Sequence, residues 1–86
     1  MPRYISLHAL GCLPKPAFAS LCVKLFAAVP PARRVVAGQI GEKLLVEFEA
    51  TDERVATAWL AANRLTPLWL LRLDFESTDG AIHDVL

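Results

Sequence analysis

The sequence predicts an α+β domain with the element order β-α-β-β-α-β. Three observations predict this order: stretches in which apolar and polar residues alternate, two apolar stripes with helical spacing that prolines terminate, and a glycine-flanked turn between two extended segments. A chain of 86 residues has room for one hydrophobic core. We therefore expect one domain over residues 1–86, in which residues 81–86 form a short fifth strand or a tail.

The first strand and the first helix are expected in the N-terminal third of the chain. Residues 3–10 alternate with a period of two, which is typical of a strand with two different faces. Between Pro16 and Ala28, apolar residues recur at helical spacing and form one stripe. Pro16 suits the first helical turn, and Pro30 with Pro31 ends the helix. The members of the stripe are Phe18, Leu21, Cys22, Leu25 and Phe26.

A β-hairpin is expected in the middle of the chain. The β-branched content of residues 33–40 favours an extended segment, and residues 43–50 alternate as a half-buried strand. Between them, the residues from Gly38 to Gly41 supply the turn. The predicted buried face of the second of these strands carries Leu44, Val46 and Phe48.

The second helix and the last core strand follow the hairpin. Thr51 or Asp52 can cap a helix that begins near Glu53, and Pro67 prevents its continuation. Residues 68–75 then alternate and form the last core strand. The predicted buried stripe of this helix contains Val55, Ala58, Trp59, Ala62 and Leu65.

Two strand–helix units joined by a hairpin predict a four-stranded antiparallel sheet with both helices on one face. This is the ferredoxin-like arrangement, in which the first strand lies between the third and the fourth. The helix-covered face is expected to carry Ile5, Leu7, Leu44, Val46, Phe48, Trp69, Leu71 and Phe75. The uncovered face is expected to carry Tyr4, His8, Leu45, Glu47, Glu49, Leu68, Leu70, Arg72 and Asp74.

Composition points to association between copies of the chain. Hydrophobic residues make up 55% of the sequence, which exceeds what the core of so small a domain can absorb. The remainder is expected on the uncovered sheet face, where a second copy would cover it, so we expect a homodimer through that face. The formal net charge is zero and Arg33-Arg34 is the one basic pair, which argues against nucleic-acid binding.

Two further observations concern the cellular environment. Cys12 and Cys22 lack the spacing of a zinc or redox motif, so we expect two free thiols in a reducing cytoplasm. The apolar run from Phe18 to Val29 is interrupted by Lys24 and is shorter than the roughly 20 residues of a membrane span. We therefore expect a cytoplasmic protein with no membrane segment.

Several segments resemble a family of small bacterial ferredoxin-like proteins that is largely uncharacterised. They are the opening Met1-Pro2-Arg3-Tyr4 with His8, the run Glu47-Phe48-Glu49-Ala50-Thr51-Asp52, and the helix from Val55 to Leu65. The likeness covers most of residues 1–75. The family includes a dimeric nickel-binding member, and its domains resemble the dimeric α+β-barrel group. The resemblance implies a dimer and places a ligand for a transition metal such as nickel at His8.

The candidate site residues lie on the expected uncovered face. Imidazole titrates near neutrality and is a common metal ligand, and a carboxylate beside it fixes its tautomer and raises its basicity. The ligand-binding candidates are His8, Tyr4, Glu47, Arg72 and Asp74, and the candidate metal ligands are His8 and Cys12. Mixed nitrogen, sulfur and oxygen ligation is compatible with transition metals.

Three functional hypotheses follow from this sequence. The first is a small homodimeric binding or accessory protein with a ligand or metal cleft on the uncovered sheet face. The second is a cofactor-free enzyme of the dimeric α+β-barrel kind, an isomerase or monooxygenase that acts on a small organic substrate, with His8 as the acid–base group. The third is a protein-interaction module whose uncovered face binds a different protein.

Overall fold

The computed structural model describes residues 1–85 and contains two helices and six strands. In chain order the elements are β1 (Arg3–Ala9), α1 (Lys15–Phe26), β2 (Arg34–Gly38), β3 (Lys43–Glu49), α2 (Glu53–Ala62), β4 (Trp69–Leu73), β5 (Phe75–Glu76) and β6 (His83–Asp84). Both helices and all four core strands lie within one or two residues of the predicted segments at most of their ends. Over residues 1–85, neither helix is long and apolar enough to cross a membrane.

Strands β1 to β4 form one antiparallel sheet, and β5 pairs with β6 in a separate small sheet. The order in the larger sheet is β2-β3-β1-β4, so β1 lies between β3 and β4. The prediction of an α+β fold with two helices and a four-stranded antiparallel sheet is confirmed. Directly paired residues share a face of an antiparallel sheet, so the register assigns each side chain to a face. Ser6, for example, lies opposite Val46 on one side and Leu70 on the other.

The hydrophobic core lies between one face of the sheet and the two helices. Phe48 is fully buried and stacks on Trp59 of α2, with 4.3 Å between the ring centroids. The indole Nε1 of Trp59 donates a hydrogen bond to the carbonyl oxygen of Pro30, at 2.8 Å, and this contact joins α2 to the loop after α1. Leu25 of α1 and Leu60 of α2 complete the central packing. Both helices therefore cover the same face of the sheet.

Local sequence signals account for the ends of the helices. Pro14 is the N-cap of α1, whose first turn contains Pro16, and the two prolines after Val29 prevent continuation. The carboxylate of Asp52 caps α2 by accepting a hydrogen bond from the backbone N–H of Val55, at 2.9 Å. Arg64 ends this helix with a positive φ of 59°.

The buried stripe of α2 differs from the prediction at the alanines, whereas Trp59 and Leu65 are buried as expected. Ala58 and Ala62 were expected inside but are exposed, and Ala56 and Leu60 are buried in their place. The stacking of Trp59 on Phe48 fixes the rotation of the helix. Alanine buries little surface on either face, so it cannot set that rotation from the sequence.

The predicted faces of β1 are wrong. Tyr4, Ser6 and His8 are buried beneath the helices, whereas Ile5 and Leu7 lie half-buried on the opposite face. Apolar and polar residues alternate along β1, but the polar residues are the ones that point inward. The cause is the pairing with β3, whose buried residues Leu44, Val46 and Phe48 were predicted correctly and lie directly opposite His8, Ser6 and Tyr4.

The predicted faces of β4 are wrong for the same reason. Trp69 and Leu71 are paired with Leu7 and Ile5, so they lie on the face without helices, and both are exposed. Leu70 pairs with Ser6 and packs against the core from the helix-covered side. Arg72 is also assigned to that side by its pairing with Tyr4, although it lies exposed at the sheet edge.

The C-terminal segment forms a small hairpin. The fifth strand expected over residues 81–86 corresponds to the two residues of β6, which pair with β5, and Leu86 lies outside the described residues. Phe75 was expected to point into the core, but it is 69% exposed, because β4 ends at Leu73 and the chain leaves the main sheet.

Candidate functional site

The face of the main sheet opposite the helices is the candidate functional site, and we call it the open face. It is built by alternate residues of all four strands, because side chains of a strand point to the two sides in turn. The register places these residues on it: Arg3, Ile5, Leu7, Ala9, Arg34, Val36, Gly38, Lys43, Leu45, Glu47, Glu49, Trp69, Leu71 and Leu73.

A continuous row of large apolar side chains crosses the open face from one edge to the other. Val36 on β2 is paired with Leu45 on β3, Leu45 with Leu7 on β1, and Leu7 with Trp69 on β4. We call these four residues the apolar row. Its two ends are the more accessible, with Val36 40% and Trp69 44% exposed. Leu71, next to Trp69 along the same face, is 51% exposed, so the apolar surface extends beyond the row.

A charged cluster lies beside the apolar row, at the end of the sheet where β1 begins. Nη1 of Arg3 lies 3.2 Å from the carboxylate of Glu47, and Arg3 also pairs with Glu76 of β5. Nη1 of Arg33 lies 2.7 Å from Glu49, and its Nε lies 3.8 Å from Glu47. These two arginines and three glutamates hold the ends of β1, β3 and β5 together through side chains.

A shallow depression lies between the charged cluster and the apolar row. It has a volume of about 130 Å³ and is lined by Ile5, Arg34, Val36, Leu45 and Glu47. Its wall therefore combines three aliphatic side chains with one cation and one carboxylate. This combination suits contact with another amphipathic surface, since it offers both apolar area and charges that specify orientation.

His8 occupies a different environment, in the interior on the helix-covered face. Its Nδ1 lies 3.0 Å from the carbonyl oxygen of Thr66, and its Nε2 lies 2.7 Å from Oγ of Ser6. A carbonyl oxygen accepts only, so Nδ1 carries the proton and donates to Thr66, and Nε2 accepts from the Ser6 hydroxyl. Burial lowers the pKa of His8, and the hydrogen bond to Thr66 opposes that shift. Burial therefore favours the neutral imidazole over the protonated ring.

This arrangement resembles a serine activated by a histidine base, but it lacks access to a substrate. Ser6 and His8 are both fully buried, at 0% exposure. A nucleophile has to reach the reacting atom of its substrate, so this pair acts as a satisfied internal polar network. It links β1 to the loop that leads into β4.

The structure does not bring the ligand-binding candidates together. Tyr4 and His8 point into the core, and Tyr4 stacks near Phe48 with 6.2 Å between the ring centroids. Glu47 lies on the open face, so the sheet separates it from His8. Arg72 and Asp74 pair with each other at 3.0 Å and are both partly accessible.

The candidate metal ligands do not form a site either. Both ring nitrogens of His8 are engaged by Ser6 and Thr66, and Cys12 lies exposed in the loop after β1. Within residues 1–85, no group of three or more His, Cys, Asp or Glu side chains is arranged to hold a metal ion. His83 lies in β6, where its Nε2 is 3.1 Å from Asp79.

Sequence reasoning missed most of the residues that make the open face apolar. Leu45 was placed there correctly, but Leu7, Trp69 and Leu71 were assigned to the core. The available signal was that residues 68–73 carry leucines on both phases of their alternation, so one of the two sets had to lie outside the helix-covered face.

Comparison with known proteins does not indicate a function for this chain. No family model, curated protein or solved structure matches this chain. Function therefore has to be argued from the surface itself, which carries a row of apolar side chains bordered by charges.

Proposed function

We propose that this chain is a small binding or accessory protein that works as a homodimer, in which the open face of one copy packs on the open face of the other. The observation that carries this proposal is the apolar row on a face that no helix covers. Exposed apolar surface of this extent marks an interaction site in soluble proteins. Face-to-face packing of two sheets is a standard way to cover such a surface.

The exposed area of the chain supports a missing partner. A compact monomer of 9.4 kDa is expected to expose about 5,000 Å². This chain exposes 5661 Å², an excess of about 650 Å² over that expectation. A standard interface removes about 800 Å² from each partner, an area of the same order as this excess.

The charges of the chain favour a second copy as the partner. The formal net charge is zero, so two copies approach without overall repulsion. The charged cluster beside the apolar row contains cations and anions in close pairs. The cluster can therefore form opposite-charge contacts with an identical surface. A partner of strong net charge would instead require a patch that carries charges of one sign.

The position of His8 supports the binding hypothesis over an enzyme or a metal centre that uses this residue. An enzyme or a metal centre built on His8 needs that imidazole at the surface, and it is buried and fully hydrogen-bonded. The first hypothesis also includes a cleft on the uncovered sheet face. The depression lined by Ile5, Arg34 and Glu47 supports this part of it and would lie inside the dimer interface. The proposal is accordingly a dimer whose interface holds the binding surface.

The fold name and the location belong to the same proposal. The element order and the central position of β1 support a ferredoxin-like fold and the resemblance to small bacterial proteins of that kind. Cys12 and Cys22 are free thiols, and the reducing cytoplasm is the compartment we propose. Cell fractionation with an antibody to the chain tests the location.

The oligomeric state of matched variants tests the dimer. Leu45→Glu places a carboxylate in the centre of the apolar row, and we expect it to convert the dimer into a folded monomer, because burying an unpaired charge is costly. Val23→Glu is the control, since Val23 is 73% exposed on α1, away from the open face, and it should stay dimeric. Sedimentation equilibrium measures the mass, and far-UV circular dichroism checks the fold. A monomeric wild-type protein, or a Leu45→Glu variant as dimeric as the control, contradicts the proposal.

A further inference from the structure

We infer that the two copies meet about a two-fold axis that runs across the strands along the apolar row, so that Lys43 of each copy faces Glu47 of the other. This inference rests on the proposed dimer and specifies its geometry. It follows from the arrangement of side chains in rows on the open face, each row containing one residue from each paired strand.

The rows on either side of the apolar row are complementary to each other. On β3, Lys43 and Glu47 lie two residues before and two residues after Leu45, each about 7 Å from it along the strand. On β1, Ala9 and Ile5 lie at the corresponding positions around Leu7. On the two central strands, one flanking row therefore contains a cation and a small apolar residue, and the other contains an anion and a larger one. On the edge strand β2, the same two rows contain Gly38 and Arg34, respectively.

A two-fold axis along the apolar row brings complementary positions together. In such an interface, every contact between two different residues occurs twice. If one residue of the first copy contacts another residue of the second copy, the same contact exists with the two copies exchanged. The apolar row then packs on its own copy, Lys43 meets the partner's Glu47, and Ile5 meets the partner's Ala9. Two identical ion pairs flank a central apolar layer, which is the usual composition of an interface core and its rim.

Lys43 is available for this contact. It is exposed, and its ammonium group donates to the carbonyl oxygen of Gly41 in its own hairpin, at 3.0 Å. Within residues 1–85 it makes no ion pair, since no carboxylate oxygen lies within 4.0 Å of its ammonium nitrogen. Lys43 and Glu47 both lie on β3, one of the two central strands. The rotation of about 30° between packed sheets therefore displaces them little from each other.

The remaining charged residues fit the same geometry. Arg3 and Glu49 lie one row further from the axis than Glu47, at the rim, where they keep their ion pairs and their contact with water. An axis parallel to the strands, between β1 and β3, would instead place Arg34 against Leu71 and Glu47 against Ile5. That arrangement sets two charges against apolar side chains, which is unfavourable.

Charge reversal in separate copies tests this register. Lys43→Glu and Glu47→Lys each turn both ion pairs of the homodimer into like-charge contacts, so each variant alone should dimerise at least about tenfold more weakly than wild type. An equimolar mixture restores an opposite-charge pair at both contacts, so the heterodimer should form in preference to either homodimer. Native mass spectrometry, with one variant isotope-labelled, distinguishes the heterodimer from both homodimers.

Cross-linking of the unaltered protein removes any dependence on how the variants fold. A carbodiimide joins an amine to a carboxylate in direct contact, and the other two lysines, Lys15 and Lys24, lie in α1. In a mixture of labelled and unlabelled chains, we expect an amide between Lys43 of one chain and Glu47 of the other, identified by peptide mass spectrometry.

The outcomes separate this inference from the proposed function. A dimer that Leu45→Glu breaks, but that gives neither the heterodimer nor the Lys43–Glu47 cross-link, overturns the register and leaves the dimer in place. A second result would also overturn the register. If Arg3→Glu and Glu49→Arg form a heterodimer, and Lys43→Glu and Glu47→Lys do not, the two-fold axis runs parallel to the strands. A wild-type monomer overturns both proposals.

Discussion

At the scale of single residues, His8 makes the stability of this protein depend on pH. The imidazole is neutral in the folded chain because burial lowers its pKa below the ordinary value of 6.5, while the Thr66 hydrogen bond opposes the shift. In the unfolded chain the ring takes up a proton near 6.5. The unfolded state therefore binds more protons in acid, and the stabilisation present above pH 6.5 is lost as the pH falls toward the lower pKa of the folded state.

Replacing His8 by a residue that does not titrate should remove this dependence. For wild type, His8 should lower the free energy of unfolding by up to about 1.4 kcal/mol per pH unit below 6.5, until the folded-state pKa is reached. His8→Gln keeps a side chain that can donate and accept, and it should lose less stability between pH 7.5 and 5.5. Urea denaturation at one fixed protein concentration measures both. Equal losses in the two proteins would show that His8 does not titrate differently on folding.

The inward position of His8 shows why this part of the candidate site could not be predicted. A histidine on an alternating strand is expected at the surface unless its nitrogens find partners inside. One partner, Ser6, is two residues away, but the other is the carbonyl oxygen of Thr66, 58 residues along the chain. No feature of the sequence near His8 indicates that contact. The prediction that His8 lies on the uncovered face was therefore wrong.

At the scale of elements, the ends of the first helix and the position of the hairpin are determined mainly by local sequence signals. Prolines bound α1, and Gly41 lies in the turn between β2 and β3. The prolines act through their own backbone preferences, so the ends of α1 could be predicted without tertiary information. The faces of β1 and β4 could not be predicted in this way, because the pairing of β1 with β3, and of β4 with β1, decides which side chains face the helices.

The cap of α2 offers a test of one such local signal. Asp52→Ala removes the carboxylate that accepts from the N–H of Val55, and we expect it to lower the free energy of unfolding by about 1 kcal/mol. Thr51→Ala, at the exposed neighbouring position, should have a smaller effect. Chemical denaturation of the two variants provides the comparison. An equal effect of both substitutions would mean that the hydrogen bond from Val55 contributes nothing to α2.

At the scale of the whole molecule, part of the apolar excess of the sequence lies on the open face. Hydrophobic residues make up 55% of the chain; beyond the core they form the apolar row, and others, such as Val29, Ile40 and Ile82, lie exposed elsewhere. A domain of this size buries about 60% of its unfolded surface, so its stability as a monomer is small. Covering the open face would add to that stability through association.

Association of this kind should make thermal stability depend on concentration. Anything that binds the folded chain raises its stability by mass action, and the stabilisation by a second copy increases with the logarithm of the protein concentration. The Tm of wild type should therefore rise with protein concentration. The Tm of Leu45→Glu should stay constant at a lower value, because this variant unfolds as a monomer. Val23→Glu should follow wild type. Scanning calorimetry over a wide concentration range gives all three curves. A wild-type Tm that does not change with concentration would mean that the dimer contributes nothing to folding, and the open face would then need a different partner.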